Sequence, residues 1–229
     1  MKNYYGIGNK NGSVTAKIKV YTKNTGRPSS RTVTDSDSEK SRFRLAKYIA
    51  VKELALLYEK AYAELGESAA MIFYIHQMML EDDTFTDRVC SIIDTRLVNA
   101  ETAVYDTCIE LAEVFNNLDD SYISERRTDV FDICERVIAI LKNESRSFPI
   151  LSEPSIIVAD DLSPSELLLP KREFIAGIVL FSSSNNSHTA ILADKMKIPM
   201  LTRVDSDQNI IASDITATLD SDNGVITTE

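Results

Sequence analysis

The sequence is 229 residues long and carries 25 Lys and Arg against 35 Asp and Glu, a formal net charge of −10, with 44% apolar residues. That charge argues against nucleic acid or an anionic membrane as the main partner and favours a basic one. No run of about 18 uninterrupted apolar residues is present and the N-terminal MKNYYGIGNKNG lacks an apolar leader core, so the chain reads as a soluble, cytoplasmic protein of one or two domains.

Cys90, Cys108 and Cys134 lie inside helical patterns, an odd count without metal spacing, and read as reduced small hydrophobes. Two distant histidines and no paired cysteines argue against a zinc or haem site, so no metal is expected. Neither GxxxxGK[ST] nor GxGxxG occurs, leaving nucleotide phosphates without a loop cradle.

In chain order, residues 1–22 carry Gly6, Gly8 and Gly12 and then the alternating VTAKIKVYT, a strand pattern. Residues 23–38 are polar, contain Gly26 and Pro28, and read as a connecting loop. From about 39 to 146 Gly and Pro nearly vanish and apolar residues recur at helical spacing, giving four main helices. The first presents Ala46, Ile49, Ala50, Leu54, Leu57, Ala61 and Leu65, and stops at Gly66. The second runs from Ser68 past Asp83 with Ile72, Ile75, Met79 and Leu80. The third aligns Leu97, Ala100, Val104, Cys108, Leu111 and Phe115. The fourth follows Asp119-Asp120 with Val130, Ile133, Val137, Ile140 and Leu141. Amphipathic helices with short joins predict a bundle. After Pro149, IIVADD (156–161), FIAGIVLF (174–181), a helical SHTAILADKMK, IPMLTRV and the final ITATLDSDNGVITTE predict an α/β unit. The N-terminal strand has no partner in the bundle and is expected to join that later sheet. The bundle then becomes an insertion: residues 1–36 and 147–229 form the α/β domain, and 37–146 the helical one.

His188 falls where the loop Ser182–Ser187 meets a helix that stops before Pro199. Backbone N–H groups and the positive dipole end favour an anion there, and the same field keeps imidazole neutral and nucleophilic. Taken alone, such a histidine is more often a surface or capping residue, with Ser187 an ordinary N-cap.

Four collinear segments resemble the N-terminal half of Enzyme I of the phosphoenolpyruvate:sugar phosphotransferase system. SAAMIFYIHQMMLEDD (68–83) is similar to its helix ending H-x-M-L-L-E-D. DDSYISERRTDVFDICERV (119–137) is similar to D-x-Y-x-x-E-R-x-x-D-V-x-D-I-x-x-R. IIVADDLSPSE (156–166) is close to I-V-A-x-D-L-T-P-S, and NSHTAILADKMKIPML resembles the signature T-S-H-x-A-I-x-A-R-x-x-x-I-P. The resemblance implies a swivelling phosphohistidine β/α domain with an inserted four-helix bundle that docks the carrier protein HPr. His188 would be the phosphorylated residue, Ser163 would stand for the threonine beside its imidazole, and Ser187 and Thr189 would flank it. The docking surface would comprise Glu67, Met71, His76, Met78, Met79, Asp82, Asp83 and Arg126. Of these, His76 on a partly apolar face reads as structural or interfacial rather than catalytic. Flexible methionines beside an acidic run suit a transient basic partner on their own terms, against the plainer reading of Met79 as core.

The sequence departs from the family in places. Ser183 and Ser184 replace a Gly-Gly pair, Asp194 replaces an arginine that could neutralise a phosphoryl group, and Lys10–Ala16 replaces S-P-G-x-x-x-G. The sequence ends without the family's C-terminal phosphoenolpyruvate-binding domain. Phosphoenolpyruvate and Mg2+ are therefore expected only with that domain, and no cofactor in this chain. The expected function is phosphoryl transfer from phosphoenolpyruvate through a phosphohistidine to HPr; the alternative is an HPr-binding regulatory module that has lost efficient transfer.

Overall fold

The computed structural model describes residues 1–23, 26–116, 121–144, 148, 151–183, 187–205 and 212–228, with side chains omitted for 115–116 and 121–127. The chain divides into two compact units. One comprises Met1–Lys23, Glu64–Ala69 and Phe148–Glu229; the other comprises Asn24–Ala63 and Ala70–Ser147.

The first unit is built on one mixed sheet of eight strands: β1 (Lys2–Tyr5), β2 (Ile7–Gly8), β3 (Ser13–Tyr21), β4 (Ser155–Ala159), β5 (Ile175–Leu180), β6 (Met200–Thr202), β7 (Thr216–Asp220) and β8 (Val225–Thr228). Their order is β1-β8-β7-β3-β4-β5-β6-β2. The N-terminal strand does join the later sheet: β3 runs parallel to β4, pairing Ile18 with Ile156, and antiparallel to β7, pairing Ala16 with Ala217. β1 and β2 occupy opposite ends of this order yet are separated by Gly6 alone, so the sheet must curl until its edges meet. Close approach at the join requires glycine. A Cβ on Gly6 would sit 2.8 Å from the Thr202 carbonyl oxygen, and one on Gly8 would sit 1.8 Å from that of Ser221. Inside the curl, Ile18, Ile156, Val158, Val179, Leu201, Ala217, Leu219 and Ile226 form one apolar cluster. β4 is buried at every position, so Ile157, alternating to the other face, is covered as well.

The second unit is helical. α1 (Ser36–Leu65) is capped by Asp35, whose carboxylate accepts from Ser38 N–H at 3.0 Å, and it ends at Gly66 with φ +86°. It buries Phe43, Ala46, Ala50, Leu54 and Ala61; Ile49, expected on that face, is 38% exposed. The expected second helix is two: α2 (Glu67–Glu81) and α3 (Asp83–Arg96). Asp82 breaks them apart by capping α3, its side chain accepting from Thr84 N–H at 2.7 Å. Among the described residues the helical zone therefore holds five helices rather than four. Leu97, placed by periodicity in the third helix, instead ends α3 in a left-handed conformation (φ 48°). It leaves α4 (Ala100–Asn116) to begin after Asn99. α4 packs along α5 (Ser121–Leu141), burying Val104, Cys108, Val130, Ile133, Cys134 and Val137. All three cysteines are free. Asp119, Asp120 and Pro149 lie outside the described residues.

Candidate functional site

Two short helices of the first unit bring the expected chemistry together. α7 (His188–Lys195) opens at His188, with Ser187 extended (φ −62°, ψ 153°) as N-cap and its hydroxyl accepting from Ala190 N–H at 3.2 Å. His188 is half-buried. The helix closes through left-handed Lys197 (φ 54°), with Ile198 N–H returning to the Ala193 carbonyl at 3.0 Å. Arg172 steadies that end, donating to the carbonyls of Met196 (2.9 Å), Ile175 (2.9 Å) and Lys197 (3.0 Å). Burial lowers its pKa from the ordinary arginine value.

α6 (Pro164–Leu167) starts from Ser163, a buried N-cap in a reciprocal capping box. Proline at the first position fits a helix start, so this box was legible as S-P-S-E. α6 and α7 pack on one another, and Thr189 Oγ1 donates to the Leu162 carbonyl at 2.5 Å. Leu162 precedes Ser163 and His188 precedes Thr189, so this bond sets the serine's loop against the histidine's helix.

Sequence reasoning missed what surrounds Ser163. Glu166 accepts from four donors: Ser163 N–H (2.8 Å), Ser163 Oγ (3.0 Å), Tyr21 Oη (2.7 Å) and Lys23 Nζ (2.9 Å). Asp161 accepts from Leu162 N–H at 2.8 Å and from the Ser183 hydroxyl. Burial pushes the Asp161 carboxyl above its usual range, against the lowering effect of Ser183 and, more weakly, Lys23. Ser183, the departure from the family glycine, is thus buried and tied to the Ser163 loop. Ser184 lies outside the described residues. Asp194 is exposed, and its Oδ1 accepts from Asn11 Nδ2 at 3.0 Å. Six residues of α-helix carry it about 9 Å along the axis from His188.

In the helical unit, α2 presents Met71 (38% exposed), Tyr74 (48%) and Met78 (55%) at i, i+3 and i+7, an apolar stripe on one face. Glu81, Asp82 and Asp83 follow, all exposed. Asp82 is a cap as well as a surface charge, and its hydrogen bonds with Thr84 hold its carboxyl below the ordinary value. Met79 is half-buried and Glu67 is exposed in the first turn of α2. His76, read as structural or interfacial, takes the structural role and leaves the expected docking surface. It is 0% exposed, with Nε2 3.3 Å from Asp129 Oδ1 and Nδ1 3.6 Å from Asp132 Oδ2. An imidazole enclosed between two buried carboxylates organises the interior and is no surface contact. Arg126 belongs to α5 and its side chain is outside the described set. Among the described residues no cluster could hold a metal ion, and no helix is long and apolar enough to cross a membrane.

Comparison with known proteins aligns with this arrangement. Residues 5–126 match the family model described as PEP-utilising enzyme, N-terminal, and residues 151–224, which include His188, match PEP-utilising enzyme, mobile domain. The chain is 34% identical over 195 residues to a phosphoenolpyruvate-protein phosphotransferase of Bacillus subtilis (strain 168), covering 85% of this chain and 34% of that protein. It is 35% identical over 168 residues to the Listeria monocytogenes protein of the same name, covering 73% of this chain and 29% of that one. The chain thus spans about a third of the length of these relatives. Among solved structures, an NMR solution structure of an Enzyme I protein superposes with a TM-score of 0.76 at 27% identity, covering 99% of this chain and 92% of that chain. The N-terminal domain of Enzyme 1 - Nitrogen shares the fold, with a TM-score of 0.66 at 22% identity over 98% and 93% of the two chains.

Proposed function

Given that the chain belongs to the PEP-utilising enzyme family and corresponds to the N-terminal half of Enzyme I, we propose that it passes a phosphoryl group between His188 and the histidine of an HPr-like carrier. The observation that carries this reading is the placement of His188, half-buried at the first position of α7. There the helix dipole and the free amides of the first turn favour a phosphoryl anion. In the carrier-to-protein direction, a ring nitrogen of His188 forms the new N–P bond. The carrier's N–P bond breaks, its electron pair returning to the carrier imidazole. Ser187 and Thr189 fix the start of the helix, so the ring is presented in one place before the partner arrives.

Docking falls to the stripe of Met71, Tyr74 and Met78 beside Glu81, Asp82 and Asp83, where flexible apolar contacts meet one sign of charge. Supply of phosphoryl groups from phosphoenolpyruvate, with Mg2+, is assigned to a C-terminal domain such as the longer relatives have room for. Of the departures that favour a transfer-deficient docking module, Ser183 and Asp194 have partners of their own in Asp161 and Asn11.

Mixing the protein with phosphorylated HPr should place on it an acid-labile, alkali-stable phosphate. His188→Ala should carry none. Tight binding of phosphorylated carrier by the unaltered protein with no label would overturn transfer in favour of the regulatory module.

A further inference from the structure

α1 is apolar on two faces. One packs into the core through Phe43, Ala46, Ala50, Leu54 and Ala61. On the opposite face Leu45, Tyr48 and Leu56 are each more than half exposed, and exposed Lys52 completes their row. Positions 45, 48, 52 and 56 are spaced i, i+3, i+7 and i+11, so they form one crest about 16 Å long. A single exposed leucine means little, whereas an aligned outward row marks a contact surface. The crest is also basic. Exposed Arg44 donates to Cys90 Sγ at 3.9 Å, and Lys52 Nζ lies 5.3 Å from the centre of the Tyr48 ring. Among the described residues neither cation forms a salt bridge, in a chain whose net charge is −10.

The stripe on α2 is the counterpart of this crest. Met71, Tyr74 and Met78 lead along the helix into Glu81, about 15 Å from Met71, and then into Asp82 and Asp83. We propose that the α1 crest of one copy of this chain docks on the α2 stripe of a second copy, at the surface assigned above to the carrier. Charge sets the direction. On α1 the row starts beside Arg44 and ends at Leu56; on α2 the apolar residues come first and the acids last. An antiparallel pair therefore sets Leu56 against Met71 and Arg44 near Glu81 and Asp83, and opposed helix dipoles favour the same direction. The contact is head-to-tail, each copy giving one surface and offering the other. Few side chains meet, and two chains of net charge −10 repel at a distance, so the pair is weak and yields to a basic carrier. Its effect is to withhold the docking stripe when the protein is concentrated and carrier is scarce. That consequence rests on the carrier reading of α2; the self-contact needs only the two surfaces.

The deciding measurement is analytical ultracentrifugation over a concentration series from about 10 to 500 µM, the range in which a weak contact fills. The unaltered protein should rise from the mass of one chain to that of two or more. Leu56→Asp and Met78→Asp should each weaken this association about tenfold or more. Mixing the two variants should restore it as a one-to-one pair, because each supplies the surface that the other lacks. Lys52→Glu, a change confined to an exposed side chain, should weaken association in the same way and keeps the test open if Leu56→Asp does not fold. Unphosphorylated HPr should dissolve the pair, and Leu56→Asp should bind it as the unaltered protein does. A protein that stays a single chain throughout, an association indifferent to Leu56→Asp and Lys52→Glu, or a mixture that does not pair would overturn the proposal. HPr that binds without dissolving the pair would overturn the shared surface. If the mixture pairs and HPr does not bind, the carrier reading fails and the self-contact stands.

Discussion

Asp161 shows how a single residue at this site can be stable and yet carry a pH-dependent cost. Its carboxylate is engaged by the Leu162 amide and the Ser183 hydroxyl, but burial outweighs them and raises its pKa. A carboxyl whose folded pKa lies above its unfolded value of about 4 favours folding most when protonated. The contribution is complete below about pH 4 and is lost as pH rises through the folded value. Asp161→Asn keeps an oxygen for both donors and removes the charge. It should therefore flatten the dependence of unfolding free energy on pH above about 4 and raise stability at pH 7. Urea unfolding at the two pH values checks this. An equal loss at both would show that the ionised carboxylate is what holds the Ser183 loop. Ser183 itself was visible in the sequence only as a missing glycine, because nothing in the spacing of 161 and 183 says that the two side chains meet.

At the scale of elements, the junction at Asp82 carries the main correction to the periodicity. Apolar residues continue at helical spacing from Ile72 through Phe85, Val89, Ile92 and Ile93, and a pattern read by period alone gives one rod. The break comes from one side chain satisfying the first amides of α3. Asp82→Ala should cost about 1 kcal/mol in thermal or urea unfolding, and Asp82→Asn much less; equal losses in the two would show that charge, rather than capping, sets the value. Helix faces and strands were otherwise legible, since Ala46, Ala50, Leu54 and Ala61 are buried at the expected spacing and β4, β5 and β6 fall on the expected apolar runs. Polar interiors were not. Buried Glu39, Asn99 and Glu101 and half-buried Arg42 form a hydrogen-bonded group with the amide of Ala100 and the carbonyl of Leu141. Its members are scattered along the sequence, and nothing in their spacing brings them together. Burial alone would raise the Glu101 carboxyl, yet Arg42 and Asn99 hold it below the ordinary value. For the same reason the sequence left His76 between a structural and an interfacial role: its neighbours in the chain say nothing of Asp129 and Asp132 closing over it from another helix.

At the scale of the whole molecule, the two compact units hold different parts of the proposed cycle. His188 and Ser163 belong to the α/β unit, while Met71, Tyr74 and Met78 belong to the helical one. The net charge of −10 suits a basic carrier and speeds its approach, but affinity for a small transient partner rests on a few central apolar contacts. Binding and chemistry should then separate cleanly by substitution. Met78→Asp places a charge at the most exposed residue of the stripe, so the fold should hold while carrier affinity falls by about tenfold or more. The ring-nitrogen spectrum of His188 should not move. His188→Ala should do the opposite, keeping carrier affinity within about twofold, since its loss is a loss of the reacting atom and not of apolar contact, and abolishing the label. Calorimetric titration with unphosphorylated carrier measures the first quantity and acid-labile phosphate the second. A Met78→Asp protein that binds normally but labels slowly would remove the stripe from the docking surface, and a His188→Ala protein that no longer binds would mean that the phosphoryl site and the docking site are one surface.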